Sequence, residues 1–278
     1  MDYLHNILKN HIFGTLLIFV LCILPLTSLP QNFIQAIPYG GQPQLKQFIK
    51  EEMVYPQEAI DNQIQGAVGV FVSIDETGKV TNMEIFESVD PLIDAEALRI
   101  LRKILWDPAS YSGVASSSNY SVRIKFNIKK YFRNVKERGY ADHLFPFRPV
   151  DQSNIIYNYN EVNSIPKLIF TSPSMTLAKF ITKNIEYPKE AMQYNLTGTQ
   201  TINFVIEPNG RVSNIRPKEY VGAGCCEEAV RLVKLLNWYP GIKNGKAVRV
   251  RSGISIQFNL SDDTDIQFVP TFLNNSWQ

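Results

Sequence analysis

Residues able to do chemistry are few in this 278-residue chain, and they do not stand in reactive spacings. Cys225 and Cys226 are neighbours at the end of "VGAGCC". A disulfide between adjacent residues closes a strained ring, so the pair reads as two small residues opening a helix, with a redox or metal role as the alternative. No second cluster of ligand residues supports that alternative. His143, in "ADHLFPF", is the only histidine after Asn32, too little for a Ser-His-Asp arrangement, and HExxH, GxGxxG and phosphate-loop patterns are missing. Acidic neighbours such as Glu51 and Glu52 read as solvated. The chain is therefore not expected to be an enzyme or to hold a cofactor or metal. A formal net charge of +2 gives no reason to expect a nucleic-acid partner, which would ask for a strong basic stripe. With 45% hydrophobic and 19% charged residues the chain should fold. The chemistry that remains belongs to the main chain: amide and carbonyl groups along a strand edge that no neighbouring strand satisfies.

The elements that would present such an edge are legible from a repeat. "YPQEAIDNQIQGAVGVFVSIDETGKVTNMEIF" begins at Tyr55, and "YPKEAMQYNLTGTQTINFVIEPNGRVSNI" begins at Tyr187, 132 residues later. The offset holds without insertion from Leu45 and Leu177, through Gly66 and Gly198, Gly78 and Gly210, Trp106 and Trp238, to Phe126 and Phe258. Gly, Pro and Trp kept in register over that length mean a duplicated domain of about 85 residues.

Each copy spells the same order of elements. Leu45, Phe48 and Ile49 have helical spacing, as do Leu177, Phe180 and Ile181. Pro56 and Pro188 predict the first position of a short helix, which Gly66 and Gly198 end. Val68, Val70, Val72 and Ile74 alternate, as do Ile202, Phe204 and Ile206, predicting a half-buried strand. Gly78 and Gly210 then supply the positive φ of a hairpin turn. A second helix lines up Ala97, Leu98, Leu101, Ile104 and Leu105 in one copy and Ala229, Val233 and Leu236 in the other. A closing strand spans 120–131 and 248–260. The predicted class is α+β: two tandem small domains, each a three-stranded antiparallel sheet with two helices on one face. Their bounds are 39–131 and 175–262, with a connector over 132–174 and a tail over 263–278. The connector carries Pro146, Pro149, Pro166 and Pro173 with Phe145, Phe147, Tyr157 and Tyr159, too aromatic for a solvated linker. It is expected to pack on one or both sheets and cover the first copy's closing strand, leaving the second copy's strand open. Edges of this kind also allow a homodimer joined through edge strands.

Residues 1–31 stand apart from both copies. The run over 12–26 is apolar, broken only by Gly14, Thr15 and Pro25. Such a run is short for a span of roughly 20 residues and typical of a signal-peptide core. Two readings stay open, a cleaved signal peptide and a single anchor over 12–29. In both the rest of the chain is exported.

The YP-x-EA helix, the Gly before the first strand, [DE]-x-x-G-[KR]-V, the W-x-P segment and the closing F-x-[IL] together resemble the TonB C-terminal domain family, in both copies. "YGGQPQLKQFIKEEMVYP" looks like the lead-in of Bacteroidetes-type members. The resemblance implies a periplasmic protein of energy-coupled transport, soluble or held in the inner membrane. Its implied partners are a peptide of an outer-membrane TonB-dependent receptor and inner-membrane proton-motor proteins. Recognition would be β-augmentation, a receptor segment adding to the closing strand. Carried over, that strand is Arg251, Ser252, Gly253, Ile254, Ser255, Ile256, Gln257, Phe258 and Asn259 in the second copy. In the first copy it is Tyr120, Ser121, Val122, Arg123, Ile124, Lys125, Phe126 and Asn127. The receptor-contacting polar position before the YP pair falls on Asn184 and Glu52. Family members reach across the periplasm on a long Pro-rich spacer. Here about 15 residues separate the apolar run from the first copy, under about 50 Å even as polyproline helix. A non-transducing periplasmic interaction or scaffold protein is the alternative.

Overall fold

Apolar side chains in each copy gather into their own core, one built around Val68, Val70, Val72 and Trp106, the other around Ile202, Phe204, Ile206 and Trp238. The computed structural model describes residues 32–138, 149–170, 172–218, 220–259 and 266–267. Among them no helix is long and apolar enough to cross a membrane; the apolar run over 12–26 lies outside the described residues.

In the first copy, α1 (Gly41–Glu52) buries Leu45 and Phe48. Pro56 caps α2 (Gln57–Asp61) from outside, with an extended ψ of 133°, one residue before the expected position. Glycine does not stop this helix. Gln63 takes the left-handed turn at φ 56°, and Asn195 does so in the second copy at φ 50°. Gly66 instead opens β1 (Gly66–Ile74), where a Cβ would stand 2.7 Å from a Val89 methyl. β1 turns into β2 (Val80–Glu87) at Gly78, φ 82°, and Asp75 holds the turn by accepting from the Thr77 and Lys79 amides, each at 2.9 Å. Asp90 caps α3 (Pro91–Leu101) by accepting from the Leu92 amide at 2.9 Å. β3 (Ser118–Phe126) completes an antiparallel sheet of order β2-β1-β3.

The closing strand is shorter than its alternation predicts. It stops at Phe126, and α4 (Ile128–Arg138) follows. Asn127 starts that helix by accepting from the Lys130 amide at 2.9 Å. Ile128 and Tyr131, three apart on one helical face, both reach the first core. A strand would have pointed them to opposite sides of the sheet, because their spacing is odd; the helix lets both pack on the core.

The described part of the connector supplies β4 (Ile156–Tyr157) and β5 (Lys167–Ile169). The second copy then repeats the order with α5 (Leu177–Asn184), α6 (Lys189–Gln193), β6 (Gly198–Ile206), β7 (Val212–Pro217), α7 (Cys225–Leu235) and β8 (Lys246–Phe258). Its three strands pair antiparallel in the order β7-β6-β8. A last short strand, β9 (Ile266–Gln267), lies in the tail. The chain thus adopts the α+β class of two tandem small domains expected from its repeat.

The copies join through β7, whose Ser213, Asn214 and Ile215 are buried. Asn214 accepts from the Leu105 amide at 2.8 Å and donates to the Lys103 carbonyl at 3.2 Å. Arg249 also donates to the Lys103 carbonyl, at 3.0 Å, while its guanidinium is paired with Glu207 at 2.8 Å in a site almost closed to water. Arg216 pairs with Asp107 at 2.5 Å.

Candidate peptide-docking strands

A strand can recruit an extended peptide only where its outward amides and carbonyls lack partners, so the two closing strands are compared along their outer edges. β8 pairs with β6 from Val250 to Phe258 on its inner side. On the outer side the connector runs beside it: Ala247 donates to the Pro149 carbonyl and accepts from the Asp151 amide, both at 2.9 Å. β4 continues in parallel, matching Arg249 with Ile156 and Val250 with Tyr157. Beyond, Tyr159 and Ser252 hydroxyls meet at 2.9 Å. β9 then pairs antiparallel, matching Ser255 with Gln267 and Ile256 with Ile266. Ser252, Gly253, Ile254, Ser255, Ile256 and Phe258 are buried, and Arg251, Gln257 and Asn259 half-buried.

The expected division of the edges is therefore reversed. The described connector lies on the second copy, where β5 also pairs with Asn237–Tyr239, and the second copy's closing strand is flanked on both sides over much of its length. Residues 139–148 of the connector, with Phe145 and Phe147, lie outside the described residues.

β3 differs. It pairs with β1 over nine residues, from Ser118 to Phe126, and among the described residues no strand pairs with its other edge. Tyr120, Ile124 and Phe126 are buried, Val122 is half-buried, and Ser121, Arg123 and Lys125 are exposed. The Asn119 carbonyl accepts from Gln35 Nε2 at 3.3 Å outside the sheet. Because an antiparallel ladder alternates inward and outward pairs, this places the backbone groups of Ser121, Arg123 and Lys125 on the outer side as well. Arg123 turns away over the Phe86 ring, 4.9 Å from its centroid, and pairs with Glu87. Beside the free edge a groove of about 430 Å³ runs between α1, β3 and α4, lined among others by Ile49, Met53, Ile124 and Tyr131. The α4 wall was not foreseen, because "NIKKYFRNVKER" splits between an expected strand and an expected connector. Its apolar spacing of three and four, Ile128, Tyr131 and Val135, was the available signal.

The polar positions before the YP pair are structural. The Asn184 side chain donates to the Phe180 carbonyl of its own helix at 2.7 Å. Glu52 is paired with Arg99 and Lys103. Burial alone would raise its carboxyl, but these two cations outweigh that and hold it below the ordinary range. Cys225 and Cys226 are both buried free thiols at the start of α7. Burial, then the charge of Glu227, pushes Cys226 up to about 11, which opposes thiolate chemistry. Among the described residues no group of three His, Cys, Asp or Glu could hold a metal ion.

No curated protein matches the chain. The family model of the Gram-negative bacterial TonB protein C-terminal matches residues 51–128 and again 183–260. Those segments coincide with the two cores and the two closing strands, and the family's domains are periplasmic, transport-associated and non-enzymatic. With more than half of its length matched, this chain belongs to the TonB C-terminal family and carries the family's domain twice.

Proposed function

We propose that this protein works in TonB-dependent transport by binding an extended segment of an outer-membrane receptor, which adds to the first copy's sheet as a strand beside β3. The observation that carries the reading is the nine-residue edge of β3, paired on one side among the described residues and bordered by an apolar groove. At about 3.3 Å per residue such an edge offers roughly 30 Å of main chain. Each added hydrogen bond contributes about 0.5–1.5 kcal/mol, so a handful suffices for a specific, reversible contact. The second copy's edge, from Arg251 to Asn259, is a secondary site that would need β4 or β9 to leave. Retained as an anchor, segment 12–29 would bring the chain beside inner-membrane proton-motor proteins.

Proline at an outward-facing edge position removes an amide the visitor needs while leaving the β1 ladder intact. Ser121→Pro is expected to fold as wild type by circular dichroism and to bind a receptor-derived extended peptide about tenfold more weakly by fluorescence anisotropy. Unchanged binding would end the β3 reading. The scaffold alternative is favoured by the short segment between 27 and the first copy, and sequencing the mature N-terminus separates the two: cleavage before Phe33 removes the route to the motor.

A further inference from the structure

The groove beside β3 has a charge that the chain as a whole lacks. Of the residues lining it five are basic and none is acidic, whereas the full sequence is nearly balanced, with 28 basic and 26 acidic residues. Two of the five are already engaged: Lys50 pairs with Glu137 at 3.0 Å, and Arg123 with Glu87 at 2.6 Å. For Lys46 on α1, Lys125 on β3 and Lys130 on α4, no carboxylate among the described residues lies within ion-pair distance. Among the described residues, three lysines without a carboxylate partner, one each from α1, β3 and α4, thus line the groove at one strand edge together with the apolar Ile49 and Tyr131.

Resting on the edge-strand reading, we propose that the segment docking along β3 is acidic: an extended peptide with carboxylates toward Lys46, Lys125 and Lys130 and apolar side chains toward the groove floor. Successive side chains of an extended chain point to opposite sides, so positions on the helix-covered side of the sheet meet Lys46, Lys130 and the groove floor, and those on the other side meet Lys125, which is exposed between buried Ile124 and Phe126. An unpaired strand edge also distinguishes a peptide from other anions, because only a main chain can satisfy its alternating donors and acceptors. Like-charged residues would be rejected by the same lysines, which makes the groove selective as well as attractive.

The test uses the full chain and three labelled peptides as long as β3, identical except that the polar positions, present on both sides of the extended chain, are all Glu, all Gln or all Lys. Binding is read by fluorescence anisotropy in wild type, in Ser121→Pro, and in the triple variant Lys46→Gln, Lys125→Gln, Lys130→Gln. The Glu peptide is expected to bind about tenfold tighter than the Gln peptide. That gap should close as salt shortens the screening length from about 8 Å at physiological strength toward about 3 Å at 1 M. The triple variant should erase the gap, and Ser121→Pro should weaken all peptides alike. If Glu and Gln peptides bind equally and both weaken in Ser121→Pro, acidity is wrong and edge pairing stands. If no peptide binds, edge pairing itself is wrong. If the Glu peptide binds Ser121→Pro as well as wild type, or phosphatidylglycerol vesicles lose binding in the triple variant, the lysines form a general anion patch and the proposal is overturned.

Discussion

At the residue scale, the duplication preserves one polar device atom for atom. Glu96 accepts from the Val54 amide at 2.7 Å and from Arg99, which in turn donates to the Glu52 carbonyl at 2.8 Å. At the 132-residue offset, Glu228 accepts from the Glu186 amide at 2.6 Å and from Arg231, which donates to the Asn184 carbonyl. The device ties the turn before each YP pair to the long helix, which explains why those positions are occupied structurally. Only the first copy has a carboxylate at the clamped position, and this difference is testable. A carboxyl held below its ordinary value contributes stability above that value and loses it as pH falls. Urea unfolding of the first copy should therefore be steady near neutral pH and weaken below about 4.5, the ordinary glutamate value. Glu52→Gln should flatten that decline, and Asn184→Gln should leave it unchanged. The thiols give a second prediction: with Cys226 pushed up to about 11, alkylation by iodoacetamide at pH 8 should be negligible until denaturant is added. Rapid native labelling would restore a redox role.

At the scale of elements, strands and helices were legible where local pattern and burial agreed. The alternating Val68, Val70, Val72 and Ile74 are all buried, and the Gly78 and Gly210 hairpins form at φ 82° and 78°. Legibility failed at boundaries settled by competition. "KFNIKKY" alternates like a strand, yet Asn127 caps a helix there and Tyr131 reaches the Tyr55 ring at 5.4 Å. β9 was not legible at all, since two residues carry no periodicity. Its pairing predicts that ending the chain after Asn259 uncovers the second copy. Amide exchange around Ser255 and Ile256 should then accelerate about ten- to a hundredfold, the loss of one or two hydrogen bonds. Sedimentation would show whether the exposed edge joins two chains.

At the scale of the whole molecule, the buried Arg249–Glu207 pair holds the join, because the same guanidinium donates to the Lys103 carbonyl of the other copy. Arg249→Ala leaves the Glu207 charge without its counterion and should cost about 3–5 kcal/mol. Replacing both by Leu should restore much of the second copy's stability while removing the contact to Lys103. Calorimetry of wild type is expected to show one transition, and the double variant two. A single transition in both would place the coupling on β7, at the Asn214 contacts to Lys103 and Leu105.

The repeat, the two cores, the hairpins and the family were determined by the sequence alone, because side-chain periodicity and turn chemistry act over a few residues and leave a local record. Which closing strand stays free was decided only by tertiary structure. A strand's outer amides are satisfied by main chain from distant segments, here Pro149 to Tyr157 and Ile266 to Gln267, and main-chain groups are the same in every residue. The lysines around β3 were visible as letters, but α1, β3 and α4 had to pack before they faced one groove.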